Sequence, residues 1–438
     1  MNLDEYRSLD ATALAAAVRD GETSPDELLA LAKERSAEVN DELNAVVEWF
    51  DDPTPVRTMN GPLAGVPFLC KDYGSAEAGR LVEMGSVLGR GHRATHTARF
   101  IDRLQAAGAH IVGRTAAPEF VQHGATESAL HGITRNPHDP SVSPGGSSGG
   151  AGAAVAAGIV PVAHGSDCAG SIRIPAAVCG VVGMKPGMHR VLLDDGGWGG
   201  IANEFVLSRT VRDSRLFLDL LGDGPYTPTP DRPLRVAVNT DHWGGAAQDP
   251  DVTRVVDDAA GRLRALGHEV TVVPVPVDYG KLMDTFYPLF HRWIVLDVDR
   301  LVAGGAVEGP DTLEPMTRSA LEYLRAMPHA EVDGAYVAQG EITMRLEREL
   351  EPFDLLLTPT LARTTIPIGA VAGTVTDLDE YLRLNDEIFA YNYLFNVTGW
   401  PSMSVPTGTA ADGRPVGVQL SAPRGTEQLL FDVADALL

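Results

Sequence analysis

Residues 143–175, SPGGSSGGAGAAVAAGIVPVAHGSDCAGSIRIP, constrain this chain more than any other stretch. The segment opens on a glycine-serine knot, GGSSGG. It continues into alanine- and glycine-rich sequence that reads as a small-residue helix. It closes on a second serine, Ser171, behind Cys168-Ala169-Gly170. Side chains this small let backbone approach backbone, or a ligand, closely. The small apolar run over 151–163 is too short and too rich in glycine to span a membrane.

The flanks read as alternating strands and helices, which favours an α/β fold. The first sixty residues read as helical. Asp10 is placed to cap a helix through Val18, and Ser24-Pro25-Asp26-Glu27 is a capping box with proline at the first helical position. The apolar run 63–69 predicts a buried strand ending at Cys70-Lys71-Asp72. An amphipathic helix over 97–107 carries Phe100, Ile101 and Leu104 on one face, and a strand follows at 110–112. Residues 134–143 read as a polar, proline-rich loop, 180–184 as a strand, and 192–202 as a flexible glycine-rich loop around Trp198. A helix is expected through Leu221. A second strand-helix-strand unit follows at 234–238, 251–266 and 269–273. Residues 277–350 read as largely helical, and strands are expected at 354–357, 402–405 and 416–420, before a final helix from Thr426. With no internal repeat and no clear linker, residues 1–438 read as one domain, with a helical segment at 1–60 and a core at 61–438.

A net charge of −24 argues against a nucleic-acid partner, because phosphate binding needs a basic stripe. Cys70, Cys168 and Cys179 suggest no disulfide framework and lack zinc-ligand spacing, and the histidines suggest no metal cluster. The acidic N-terminus lacks a basic-then-apolar signal pattern. These features read as a soluble, cytoplasmic protein. Lysine occurs only at positions 33, 71, 185 and 281, so each one stands out.

GGSSGG admits three readings. A phosphate-cradling loop would need a Gly-Lys-Ser or Gly-Lys-Thr triplet, which is absent. A nucleophile elbow is formally matched by Gly145-Gly146-Ser147-Ser148-Gly149, but that motif follows a buried strand, and Asn136-Pro137-His138-Asp139-Pro140 is not one. The third reading rests on three motifs in order: GPLAGVPFLCKD around Lys71, TRNPHDPSVSPGGSSGG leading to Ser147, and HGSDCAGSIRIPA around Ser171. With these motifs the chain resembles the amidase signature family of Ser-Ser-Lys hydrolases, whose two serines share the 24-residue spacing from Ser147 to Ser171. Weaker matches at GMKPG, SRTVRD, DLLLTPT, GWPSMSVPTG and GRPVGVQL extend the likeness over nearly the whole chain.

The resemblance implies a single α/β/α sandwich, with a mixed central sheet flanked by helices. It implies Ser171 as nucleophile, Ser147 as proton relay after a cis peptide bond, and Lys71 as base. The oxyanion donors would be the backbone N–H groups of Cys168, Ala169, Gly170 and Ser171. Asp167 and Arg173 would form an ion pair that holds the loop; a solvent-facing Arg173 is the plainer alternative. Ser148 reads equally as a catalytic support or a helix cap. The chemistry stands without the name. Serine needs an activating base, and lysine serves only when neutral, which burial favours. Lys71, at the end of an apolar run, meets that condition. His164 reads as structural, and Cys168 lies off the nucleophile position. Cys168-Ala169 and Gly187 depart from the family pattern, where a small residue or threonine, then glycine, and a threonine are usual.

No metal or organic cofactor is implied. The expected partner is a small-molecule amide, with no membrane and with a homodimer as one admissible assembly. The stretch GGIANEFVLSRTVRD resembles the cyclic-dimer and lactam hydrolase branch. Substrate-pocket residues are expected among Met84, Trp198, Phe286, Phe290, Trp293 and Trp400, and would suit an apolar or aryl amide, a lactam or a carbamate. Two other functions stay open: a glutaminase subunit of a tRNA-dependent amidotransferase, and a non-catalytic amidase-like binding protein.

Overall fold

Buried apolar runs build the middle of the molecule, and local caps fix where its helices begin. Asp10 accepts from the Ala13 N–H and starts the helix Ala11–Arg19. Ser24 and Glu27 form the expected capping box, with Pro25 first in the helix Pro25–Leu43. The structure is a computed structural model describing residues 1–194 and 197–438.

The strands are β1 (Val46–Trp49), β2 (Pro67–Lys71), β3 (His110–Thr115), β4 (Glu127–Ser128), β5 (Gly132–Ile133), β6 (Val162–Asp167), β7 (Val182–Lys185), β8 (Asn203–Ser208), β9 (Arg235–Val238), β10 (Glu269–Val272), β11 (Leu355–Pro359), β12 (Ser402–Thr409) and β13 (Pro415–Ser421). Among the described residues, eleven of them form one sheet in the order β1-β3-β2-β6-β8-β7-β12-β13-β11-β9-β10, while β4 and β5 pair separately. The sheet is mixed. Strand β2 runs parallel to β3 and β6, whereas β6 pairs antiparallel with β8. Helices flank the sheet, as the α/β/α expectation required.

Strands β2, β3, β6, β7, β8 and β13 are buried along their whole length. A strand covered on both faces needs no apolar-polar alternation. That is why β6, VAHGSD, and β8, NEFVLS, give no strand signal in the sequence. The first sixty residues are not all helical, because Val46–Trp49 pairs with β3 at the sheet edge. Helices Arg173–Cys179, Leu378–Phe389 and Tyr393–Val397 are likewise additions to the expected elements.

The small-residue helix forms at Gly149–Ala156. A Cβ on Gly150 would lie 2.5 Å from the Ala116 backbone N, so this helix packs directly on the segment leaving β3. The expected flexible loop over 192–202 includes residues 195–196, which lie outside the described residues. Around them, Gly197–Gly200 forms a helical turn, and Trp198 is buried and stacked on Trp293. Among the described residues, no helix is long and apolar enough to cross a membrane.

Candidate active site

Lys71 ends β2 and points into a sealed interior. Strand β6 lies beside β2, with Leu69 opposite Ala163, and brings Ser166 alongside. The knot before helix Gly149–Ala156 supplies Ser147 and Ser148. Lys71 Nζ donates to Ser147 Oγ at 2.7 Å, to Ser148 Oγ at 2.9 Å and to Ser166 Oγ at 2.9 Å. Burial pushes the Lys71 pKa down from 10.5 to about 7, against the opposing pull of Asp167 and Glu204. An ammonium fills three donor bonds here. The neutral amine keeps a lone pair for a serine proton.

The two adjacent serines differ in capacity. Ser148 Oγ donates to the Ser166 carbonyl and accepts from the Ser166 N–H, each at 3.2 Å, besides accepting from Lys71. One proton and two lone pairs are then fully used. Ser147 Oγ has only Lys71 as a protein partner among the described residues, so its proton is free to move. The Gly146–Ser147 peptide is cis. The Ser148 N–H donates to the Ser171 carbonyl at 3.1 Å and ties the knot to the second serine. Ser171 Oγ makes no protein hydrogen bond among the described residues, including none to Ser147. Catalytic hydrogen bonds commonly tighten only around substrate.

Asp167 and Arg173 anchor the loop that carries Ser171, and both are fully buried. Arg173 donates through Nε and Nη2 to Asp167 at 2.9 and 2.8 Å, and to Asn396 Oδ1, Gln419 Oε1 and the Asn392 carbonyl. Burial alone would raise the Asp167 pKa, but the Arg173 guanidinium holds it well below the usual carboxylate range. Asp167 also accepts from the Gly170 N–H at 2.9 Å and from the Ile172 N–H at 3.2 Å. The Gly170 N–H is therefore committed to a carboxylate, which corrects its expected place among the oxyanion donors. The N–H groups of Cys168, Ala169 and Ser171 have no acceptor among the described residues. Gly170 has φ +106° and its missing Cβ would lie 2.6 Å from Asn392 Cγ, so both backbone and space require glycine.

Ser171 lines two cavities. One, of about 150 Å³, is walled by Ala169, Ile174, Phe286, Phe290, Tyr381 and Phe389 among others, with no carboxylate, lysine or arginine in its wall and with two histidines, His123 and His291, whose pKa values burial lowers. The other, of about 20 Å³, is also lined by Ser147, Ser166, Cys168, Trp198 and Glu204. Phe286 and Phe290 thus line the first cavity and Trp198 the second. Met84 lines neither of these two cavities but an adjoining one of about 360 Å³ that shares Tyr73, Leu193 and Glu204 with the smaller. Trp400 is a core residue, 2% exposed, in the wall of neither cavity at Ser171. Its position after Gly399 carried no periodic signal to separate core from pocket. Trp293 backs Trp198 instead of lining either cavity.

Several features escaped the sequence reading. Ser166 lies within HGSDCAGSIRIPA and Glu204 within GGIANEFVLSRTVRD, but neither stretch singles it out. His164 accepts from the Lys71 N–H through Nδ1 at 3.3 Å and places Nε2 3.4 Å from Glu204 Oε2. Burial raises the Cys168 thiol pKa well above its usual value, which keeps it protonated and a poor nucleophile. The histidines were expected to form no metal-like cluster, yet His131, Asp72 and Glu83 converge, with ligand atoms within 4.8 Å of one another. Arg114 donates to both Asp72 and Glu83, so a guanidinium already supplies the positive charge there.

A family model described as Amidase matches residues 27–431. The 6-aminohexanoate-cyclic-dimer hydrolase of Paenarthrobacter ureafaciens is 36% identical over 98% of this chain and 94% of its own. The acylamidase of Rhodococcus erythropolis is 33% identical over 97% of this chain and 94% of its own. A solved structure of 6-aminohexanoate cyclic dimer hydrolase complexed with substrate superposes with a TM-score of 0.88 at 34% identity, covering 98% of this chain and 96% of that one.

Proposed function

The chain belongs to the amidase family and is a hydrolase of amide C–N bonds, and from that premise we propose that Ser171, Ser147 and Lys71 carry out the reaction in named roles. The observation that carries the assignment is the sealed Lys71 amine, ringed by serine hydroxyls, with its pKa brought to about 7 by burial.

Neutral Lys71 takes the Ser147 proton as Ser147 takes that of Ser171. The Ser171 oxygen adds to the amide carbon, and the developing oxyanion faces the N–H groups of Cys168, Ala169 and Ser171. When the adduct collapses, the C–N bond breaks and nitrogen keeps the electron pair. Ser147 delivers a proton to that nitrogen and recovers one from Lys71. An amine leaves and an ester remains on Ser171. Water then adds to the ester by the same relay, and the acid leaves as Ser171 regains its proton. Ser148, Asp167 and Arg173 hold the geometry without exchanging protons.

The cavity at Ala169 and Ile174 suits a neutral, mainly apolar or aryl acyl group, because a charged one would find no partner there. The 6-aminohexanoate-cyclic-dimer hydrolases among the relatives support extending this to lactams. A free glutamine, charged at both ends of its backbone, fits that wall poorly. The enzyme is proposed to be cytoplasmic and to act without nucleic acid, in keeping with its net charge of −24.

The test is intact-protein mass spectrometry during turnover of an aryl amide, with a fluorophosphonate as a second probe. An acyl or phosphonyl adduct mapped to Ser171, absent from Ser171→Ala, is expected. Turnover by Ser171→Ala near the parent rate would overturn the assignment.

A further inference from the structure

Ser171 stands in the walls of two cavities, and only one of them also contains Ser147. The proton for the departing nitrogen comes from Ser147, so the leaving amine must lie on the Ser147 side. The neutral aromatic cavity is then the acyl side. This assignment rests on the roles proposed above for Ser147 and Ser171.

The leaving-group side differs sharply in charge from the acyl side. Glu204 is opposite Ser166 in the β6–β8 ladder, so the two side chains share a face. The Glu204 carboxylate lines the small cavity beside Ser147 and Ser171. It is held by the Ser75 N–H, at 3.2 Å, and by the Ser75 hydroxyl, with His164 Nε2 at 3.4 Å. No lysine or arginine pairs with it among the described residues. Asn203 lines the same cavity at 2% exposure, and its Nδ2 has no acceptor among the described residues. A buried carboxylate and a buried, unused amide donor beside a nucleophile form a polar site awaiting a ligand.

At about 20 Å³ the inner cavity holds a water or an amine nitrogen, and little more. Tyr73, Leu193 and Glu204 are shared between its wall and that of the outer cavity of about 360 Å³. The outer wall adds Asp194 and Asp297 against one guanidinium, Arg300, and two imidazoles, His92 and His96, with His96 Nε2 3.5 Å from Asp194. Arg300 is bound to Asp297 at 3.2 Å.

We propose that the cavity bounded by Ser147, Asn203, Glu204 and Trp198 is the leaving-amine subsite, and that it selects amides whose departing amine carries a further positive charge. The amine nitrogen that leaves the carbonyl takes its proton from Ser147 and presents its N–H to Glu204. A cationic tail on that amine extends into the acidic outer cavity. An anionic tail, as in an N-acyl amino acid, is opposed by the same carboxylates.

The experiment uses one neutral acyl group joined to three leaving amines of matched size, with a cationic, a neutral and an anionic tail. In the parent enzyme kcat/KM falls in that order, and the cationic-to-anionic ratio is at least about tenfold. Glu204→Gln reduces that ratio by about tenfold. All three substrates share one base, so any change in Lys71 protonation cancels in the ratio. Added salt lowers the ratio in the parent enzyme, a reading that does not depend on the variant folding. Equal kcat/KM for the three amines in the parent enzyme overturns the proposal, as does a ratio unchanged in a folded Glu204→Gln. Acyl-adduct mapping on the parent enzyme separates the two readings. An adduct at Ser171 without charge selection sinks only the subsite, whereas no adduct at Ser171 sinks the catalytic assignment.

Discussion

Lys71 Nζ stands 2.7 Å from Ser147 Oγ, although 76 residues of chain separate the two. Lys71 is 1% exposed, and every donor position of its ammonium is taken by a serine. The same enclosure that satisfies the charged form makes it expensive, because burial favours the neutral amine.

The rate should therefore follow Lys71. Below pH 7 the ammonium dominates and cannot accept a proton; above it the free amine dominates. We expect kcat/KM to rise with pH through about 7 and then level off. A profile measured from about pH 5 to 9 checks this. Lys71→Arg should lose at least about a thousandfold and fail to recover at high pH, since guanidinium stays protonated.

Ser147 and Ser148 should separate cleanly. Ser147→Ala removes the mobile proton and should reduce kcat by at least about a hundredfold with little change in stability. Ser148→Ala strips partners from the Ser166 N–H and carbonyl, and should cost about 1–3 kcal/mol of stability with a smaller loss of kcat. Urea unfolding alongside steady-state rates distinguishes the two outcomes.

Arg173→Gln leaves the Asp167 carboxylate buried without its counter-ion. A loss of about 3–5 kcal/mol is expected by urea unfolding near neutral pH. The Asp167 pKa is lowered in the folded state, so the stability from this pair is present above the unfolded carboxylate value near about 4. It is lost as pH falls below that value, so the deficit of the variant should shrink in acid.

Gly170→Ala forces a φ of +106° on an L-residue and drives a methyl to within 2.6 Å of Asn392 Cγ. A loss of about 1–3 kcal/mol in thermal unfolding is expected. Fluorophosphonate labelling of Ser171 should slow as well, because Gly170 immediately precedes Ser171.

Local signals were read well where the chemistry is local. The caps at Asp10 and Ser24, the buried strand ending at Lys71, and the final helix after Thr426 lie where side-chain patterns put them. Strands β6 and β8 were not legible, because strands covered on both faces lose the alternation that marks a strand. Ser166 and Glu204 are not distinguished by local pattern for a related reason: Ser166 reaches Lys71 because β6 lies beside β2, and Glu204 joins the site from its place opposite Ser166 in the β6–β8 ladder. Trp400 lies in the core and in the wall of neither cavity at Ser171, since a large apolar residue in isolation says nothing of which wall it faces.

The amino-acid sequence by itself determined the reaction class. A lysine after an apolar run, a glycine-serine knot and a second serine 24 residues on carry the resemblance to the amidase signature family, and that resemblance implies a base and two hydroxyls. Tertiary structure alone decided which hydroxyls meet that base, that Ser148 is saturated while Ser147 is not, and that the Gly170 N–H belongs to Asp167. It alone placed Ser171 in the walls of two cavities, one without a carboxylate in its wall and one that also holds Glu204. Hydrogen-bond capacity and burial are properties of neighbours in space, and the neighbours here come from strands and helices hundreds of residues apart, such as Asp167 and Asn396.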